Sequence, residues 1–130
     1  MVPSDPTTAG LSGERILVVE DDYYLATDTA RAVRRAGGIV LGPCRNEAAA
    51  RAALGTGTPT GAVLDINLGT GPSFDLAREL RGRGVPVMFI TGYDDAVIPE
   101  DFADAARLQK PVDLAEVVRT LGRIARGRSA

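Results

Sequence analysis

The chain has 130 residues, 45% hydrophobic and 25% charged, with 15 Lys and Arg against 17 Asp and Glu for a formal net charge of -2. That length fits one domain with its own core, so any output is expected from the same fold, and an acidic balance without a basic strip disfavours direct nucleic-acid binding. With no histidine and a single cysteine, Cys44, Ser-His-Asp and Cys-His catalysis, an internal disulfide and a cysteine zinc site are all excluded.

Residues 1–13 (MVPSDPTTAGLSG) are rich in Pro, Gly, Ser and Thr and lack apolar periodicity, the pattern of a flexible leader outside the fold. They also lack the basic and apolar regions of a signal peptide. The longest apolar stretches, Ile16–Val19 and Val85–Ile90, fall far short of the ~20 residues a membrane-spanning helix needs, so the cytoplasm and no membrane contact are expected. The folded part is expected over residues 14–126, with 127–130 as a tail.

From Arg15 the pattern alternates. Ile16-Leu17-Val18-Val19 reads as a strand, followed by a helix to Ala36 with Leu25, Thr29, Val33 and Ala36 at helical spacing, stopped by Gly37-Gly38. Ile39-Val40-Leu41 and the Ala-rich segment Asn46 to Leu54 repeat the cycle, as do Ala62-Val63-Leu64 and Ser73 to Arg81. Val85 to Ile90 precedes a less regular segment, Asp94 to Ala106, in which Pro99 disfavours helix through Ile98. A weak strand around Leu108 and a helix from Asp113, with Leu114, Val117, Val118, Leu121 and Ile124 in one stripe, complete five strand–helix units. Short apolar strands alternating with helices predict an α/β doubly wound parallel sheet covered on both faces. Its ligands belong beyond the carboxyl ends of the strands.

Those ends are polar. Glu20-Asp21-Asp22 follows the first strand, Asp65-Ile66-Asn67 the third, Thr91-Gly92 the fourth and Lys110-Pro111 the fifth. Carboxylates crowded at neighbouring strand ends raise one another's pKa unless a cation sits among them, and an all-oxygen donor set favours Mg²⁺ over zinc or copper. Phosphoryl transfer needs a nucleophile, charge neutralisation and a positioning donor. Asp65 can attack, Mg²⁺ and Lys110 neutralise, and Thr91 donates.

The segments Val18-Val19-Glu20-Asp21-Asp22, Leu64-Asp65-Ile66-Asn67-Leu68, Ile90-Thr91-Gly92 and Gln109-Lys110-Pro111-Val112 resemble the four signature segments of bacterial response-regulator receivers. The resemblance implies a flavodoxin-like five-stranded sheet of order 2-1-3-4-5 and a phosphorylated Asp65. It further implies Mg²⁺ held by Glu20, Asp21, Asp65 and the Asn67 carbonyl, with Thr91 and Lys110 on the phosphoryl group. The implied partners are a sensor histidine kinase or histidine phosphotransferase and a downstream effector protein. Self-phosphorylation from a donor and slow self-dephosphorylation would be the only catalysis. Phe89-Ile90-Thr91-Gly92-Tyr93 resembles a subgroup often paired with kinases of the HWE type. One position departs from the family: three residues before the lysine, where an aromatic that rotates inward is common, stands Arg107. Signalling is therefore expected through ordering of the Asp94 to Ala106 segment.

Two other function classes share parts of this pattern. A phosphatase of the haloacid-dehalogenase type wants an acid two residues after its nucleophile, where Asn67 stands. A flavodoxin-like nucleotide binder wants a Gly- and Ser-rich first loop, where Glu20-Asp21-Asp22 would repel phosphate. A phosphorylation-independent pseudo-receiver is disfavoured because every chemical position is filled. Asp22 reads as a helix cap, Tyr23 and Tyr24 as exposed residues at a helix start, Cys44 as packing, and Arg78, Arg81 and Arg83 as a solvated face.

Overall fold

The computed structural model describes residues 10–67, 74–92 and 98–127. The apolar runs become the strands β1 (Arg15–Val19), β2 (Ile39–Cys44), β3 (Gly61–Asp65), β4 (Val87–Thr91) and β5 (Ala106–Gln109). They pair in parallel in the order β2-β1-β3-β4-β5, as expected. Parallel neighbours need crossovers, and α1 (Tyr23–Arg35), α2 (Glu47–Leu54), α3 (Asp75–Gly82) and α4 (Leu114–Gly127) supply them. Asp22 caps α1, its side chain accepting from Leu25 N at 3.0 Å, and Asn46 caps α2 through Ala49 N at 2.8 Å. Beyond α1, Gly37 takes φ +89, where an added Cβ would stand 2.7 Å from Ser12 Oγ.

Alternation along each strand divides the core in two. Ile16, Val18, Val63, Met88 and Ile90 pack with Val33, Val117, Val118 and Leu121 beneath α1 and α4. Leu17, Val19, Leu64 and Phe89 point the other way, to Leu54, Leu76, Leu80 and Phe102. The expected leader does not stay clear of this core: Leu11 is fully buried in the α1–α4 cluster, and its N–H donates to Ala36 O at 2.9 Å. The cause is the end of α1, whose last carbonyls lack helical donors and whose apolar face needs a lid. Residues 1–9 lie outside the described residues, as do the expected helix start at Ser73 and residues 94–97 of the irregular segment.

The fourth strand–helix unit departs from the expected cycle. Among the described residues, the crossover from β4 to β5 holds only the 3-10 turn Glu100–Phe102, with Phe102 N donating to Pro99 O at 2.9 Å. Phe102 is fully buried and packs 5.4 Å, centroid to centroid, from Phe89 and 6.1 Å from Phe74. Pro99 cannot donate to a preceding turn, and Phe102, three residues on, wedges the chain against the sheet. The arginines read as a solvated face do more than that. Arg78 pairs with Asp101 at 3.1 Å, and the Arg81 guanidinium lies 4.1 Å from the Phe102 ring centroid. No helix among the described residues is long and apolar enough to cross a membrane.

Candidate functional site

Backbone pairing delivers the polar residues to one edge. Glu20 N donates to Cys44 O at 2.9 Å, extending the β1–β2 ladder by one residue, and Lys110 N donates to Thr91 O at 2.8 Å, extending β4–β5. Asp65 is the last residue of β3, and it inherits the rigidity of a central strand. Glu20 is 4% and Asp65 3% exposed, so both carboxyls stand in a poorly solvated place.

One carboxylate oxygen each from Glu20, Asp21 and Asp65 lies within 4.8 Å of the others. Asp22 N donates to Glu20 Oε2 at 3.0 Å and Asn67 N to Asp65 Oδ1 at 3.0 Å, fixing both groups from the loop side. Lys110 Nζ donates to Asp65 Oδ2 at 3.3 Å and lies 3.7 Å from Glu20 Oε2. One ammonium cannot balance three carboxylates, since like charges at this spacing repel by roughly 3–4 kcal/mol at an effective dielectric near 20. Burial first, and the Asp65 carboxylate next, push the Glu20 carboxyl up to about 8. Burial alone would pull the Lys110 ammonium down, but Asp65 and Glu20 outweigh it and hold its pKa above the ordinary lysine value.

These observations also test the fit to a divalent cation. The donor set is oxygen only, the charge left over once all three acids ionise is about that of one divalent ion, and the strained member is a buried carboxyl that a cation would relieve. The sequence-predicted residues Glu20, Asp21, Asp65 and Lys110 are thus brought together. Thr91, 1% exposed, is at the same edge, but its hydroxyl donates to Leu108 O at 3.4 Å rather than to Asp65. Asn67 is exposed, and its side-chain amide nitrogen stands 3.6 Å from where a Cβ on Gly92 would lie, an ordinary van der Waals separation.

Three contributors escaped the sequence reading. The Asp22 N–H pins Glu20 besides its side chain's capping role, and the Cys44 carbonyl seats Glu20 while the buried thiol, its pKa pushed up by burial, only packs. Arg107 donates to Phe102 O at 3.2 Å and Ala103 O at 2.9 Å, fastening the turn beside β5. Backbone contacts of this kind leave no trace in residue type. Tyr23 and Tyr24 are 74% and 78% exposed, as expected at the start of α1.

No family model matches the chain. It is 37% identical over 123 residues to the response regulator protein PmrA of Pseudomonas aeruginosa, a match covering 88% of this chain and 55% of that protein. The chain therefore spans about half the length of the curated relative it matches. Among solved structures, SdrG from Sphingomonas melonis Fr1 shares 31% identity with a TM-score of 0.65, over 88% of this chain and 97% of that one. The receiver domain of the PhyR response regulator of Erythrobacter litoralis superimposes with a TM-score of 0.75 at 25% identity, over 87% and 90% of the two chains. The chain belongs to the response-regulator receiver family.

Proposed function

We propose that this receiver is a Mg²⁺-dependent phosphoacceptor, with Asp65 as the residue that carries the phosphoryl group. The observation that carries the reading is the Asp65 carboxylate: buried, fixed through Oδ1 by Asn67 N, and facing Lys110 Nζ across 3.3 Å beside two further acids. Glu20, Asp21, Asp65 and the Asn67 carbonyl would hold the ion, which supplies charge neutralisation on the phosphoryl oxygens when bound. An Asp65 oxygen forms the new bond to phosphorus as the bond from phosphorus to the donor breaks, and the donor leaves with that electron pair. Lys110 offsets charge on the transferred group, and Thr91 turns its hydroxyl from Leu108 O toward it. Hydrolysis of the resulting acyl phosphate is the only other catalysis proposed.

Membership of the family supports a histidine kinase or phosphotransferase as donor, possession of an effector protein as reader, and action in the cytoplasm. Acetyl phosphate with Mg²⁺, followed by intact mass, tests the reading: one phosphoryl mass is expected, absent without Mg²⁺ and absent in Asp65→Asn. A full phosphoryl gain in that variant would overturn the assignment. An unlabelled wild-type chain would instead favour a phosphorylation-independent module.

A further inference from the structure

Away from the acidic edge, α1 and α4 lie side by side and leave a groove of about 510 Å³ between them, rimmed by Asp28, Arg31 and Arg35 over a floor that includes Ala32, Ala115 and Val118. A second depression of about 270 Å³ shares Val118 and adds Arg119, Arg123 and Arg126. The two read as one continuous groove along the 14 residues of α4, about 20 Å of helix.

The charge of this face runs against that of the chain. Each helix carries three arginines against one acid, Asp28 on α1 and Glu116 on α4, so each has a net charge of +2 while the whole chain carries -2 and the remainder -6. Arg34, Arg35 and Arg126 stand in last turns, where cations complement the helix dipole. Arg31, Arg119 and Arg123 stand further back, beyond the reach of that explanation. Among the described residues, none of Arg31, Arg35, Arg119 and Arg123 forms an ion pair, whereas Arg78, Arg81 and Arg83 on the opposite side of the sheet all do.

We propose that the α1–α4 groove is a docking site for an acidic amphipathic helix of a partner protein. Arg31 and Arg35 are four residues apart, as are Arg119 and Arg123, so each rim presents cations one helical turn apart. Carboxylates at the same spacing on a facing helix meet both rims. The apolar floor must be covered by apolar side chains, which a helix with an i, i+3, i+4, i+7 stripe provides and a phosphate backbone does not. Asp28 on the rim would oppose phosphates but accept a lysine from a mixed helix.

The test titrates the ¹⁵N-labelled full chain with a designed 18-residue helical peptide, leucines on one stripe and glutamates on both flanks, in parallel with a short DNA duplex. The expected result is chemical-shift changes confined to α1 and α4, and at least tenfold weaker peptide binding in the double variant Arg31→Glu, Arg123→Glu with Tm unchanged. No perturbation at millimolar peptide, perturbation elsewhere, or unaltered affinity in the double variant would overturn the proposal. Tighter binding of the duplex than of the peptide at physiological salt would overturn it in favour of a polyanion site. None of these outcomes depends on phosphorylation of Asp65.

Discussion

At the carboxyl ends of β1 and β3, acids are gathered and two of them buried; around Phe102, arginines stay at the surface with their guanidinium groups 4.1 and 5.9 Å from the centroid of a buried ring. The first arrangement concentrates unbalanced charge where water is scarce and leaves the Glu20 carboxyl protonated up to about pH 8. The second spreads paired charge where water screens it, and its stability comes from the ring rather than the ions. Arg78 and Arg81 are each nearly half exposed, so their pairs with Asp101 and Asp104 contribute little on their own. Sites that bind and react are built from the first kind of arrangement, and elements that hold a crossover in place from the second.

The sharpest way to break this contrast is to remove the ring. Phe102→Ala should destabilise the fold by about 3–5 kcal/mol, the range for emptying a fully buried phenylalanine site. Arg81→Ala should cost only about 0.5–1 kcal/mol. Urea unfolding reads both, and equal costs would show that the ions, not the ring, hold the crossover.

The second prediction concerns pH. Glu20 titrates near 8 in the fold against an ordinary value of 4.5, so its proton favours the folded state. That stabilisation is complete below about 4.5 and is lost as pH rises through about 8. In chelator, stability should fall by roughly 2–3 kcal/mol between pH 6 and pH 8, the slope of about one proton. Glu20→Gln should flatten the curve, and Mg²⁺ should stabilise more at pH 9 than at pH 6. Thermal melts across this range check the sign, and a stability rising with pH in chelator would contradict it. At the same edge, Asp21→Ala should weaken Mg²⁺ binding about tenfold, and more than the loss of charge at Glu20, whose contact is expected through water. Fluorescence titration ranks the two.

How much of each region was legible differs for a physical reason. Strand ends announce themselves: an apolar run stops, a polar residue follows, and the parallel sheet brings every such residue to one edge, so Glu20, Asp21, Asp65, Thr91 and Lys110 could be named from order alone. Phe102 could not. The chain has only three phenylalanines, and Phe74, Phe89 and Phe102 all meet in one cluster, yet nothing local marks Phe102 as the residue that seats the crossover on the sheet. Leu11 was missed likewise, because a single apolar residue in a Gly- and Ser-rich stretch has no periodicity to reveal it. The basic groove was hidden for a related reason, since Arg31 and Arg123 are 92 positions apart in the sequence.

The smallest effect expected falls where the two regions meet. Arg107 lies on β5 three residues before Lys110, and its guanidinium donates to the carbonyls of Phe102 and Ala103. Arg107→Ala removes two partly solvated hydrogen bonds while leaving Phe102 in its pocket, so the global cost should be about 1 kcal/mol. The local effect is more telling. Amide exchange at Phe102, Ala103 and Ala105, whose N–H groups bond within the turn, should speed up about fivefold, while β4 stays protected. A beryllofluoride mimic of the phosphoryl group extends the test. Thr91 must leave Leu108 O to reach the mimic, and Leu108 is bonded into the strand that carries Arg107. Protection across residues 98–106 should therefore change on adding the mimic to the wild-type chain, and change less in Arg107→Ala, where the turn is already loosened from β5. Equal responses in the two proteins would mean that Thr91 signals through the chain of β4 alone, with Arg107 a fastening for the crossover and no part of the path.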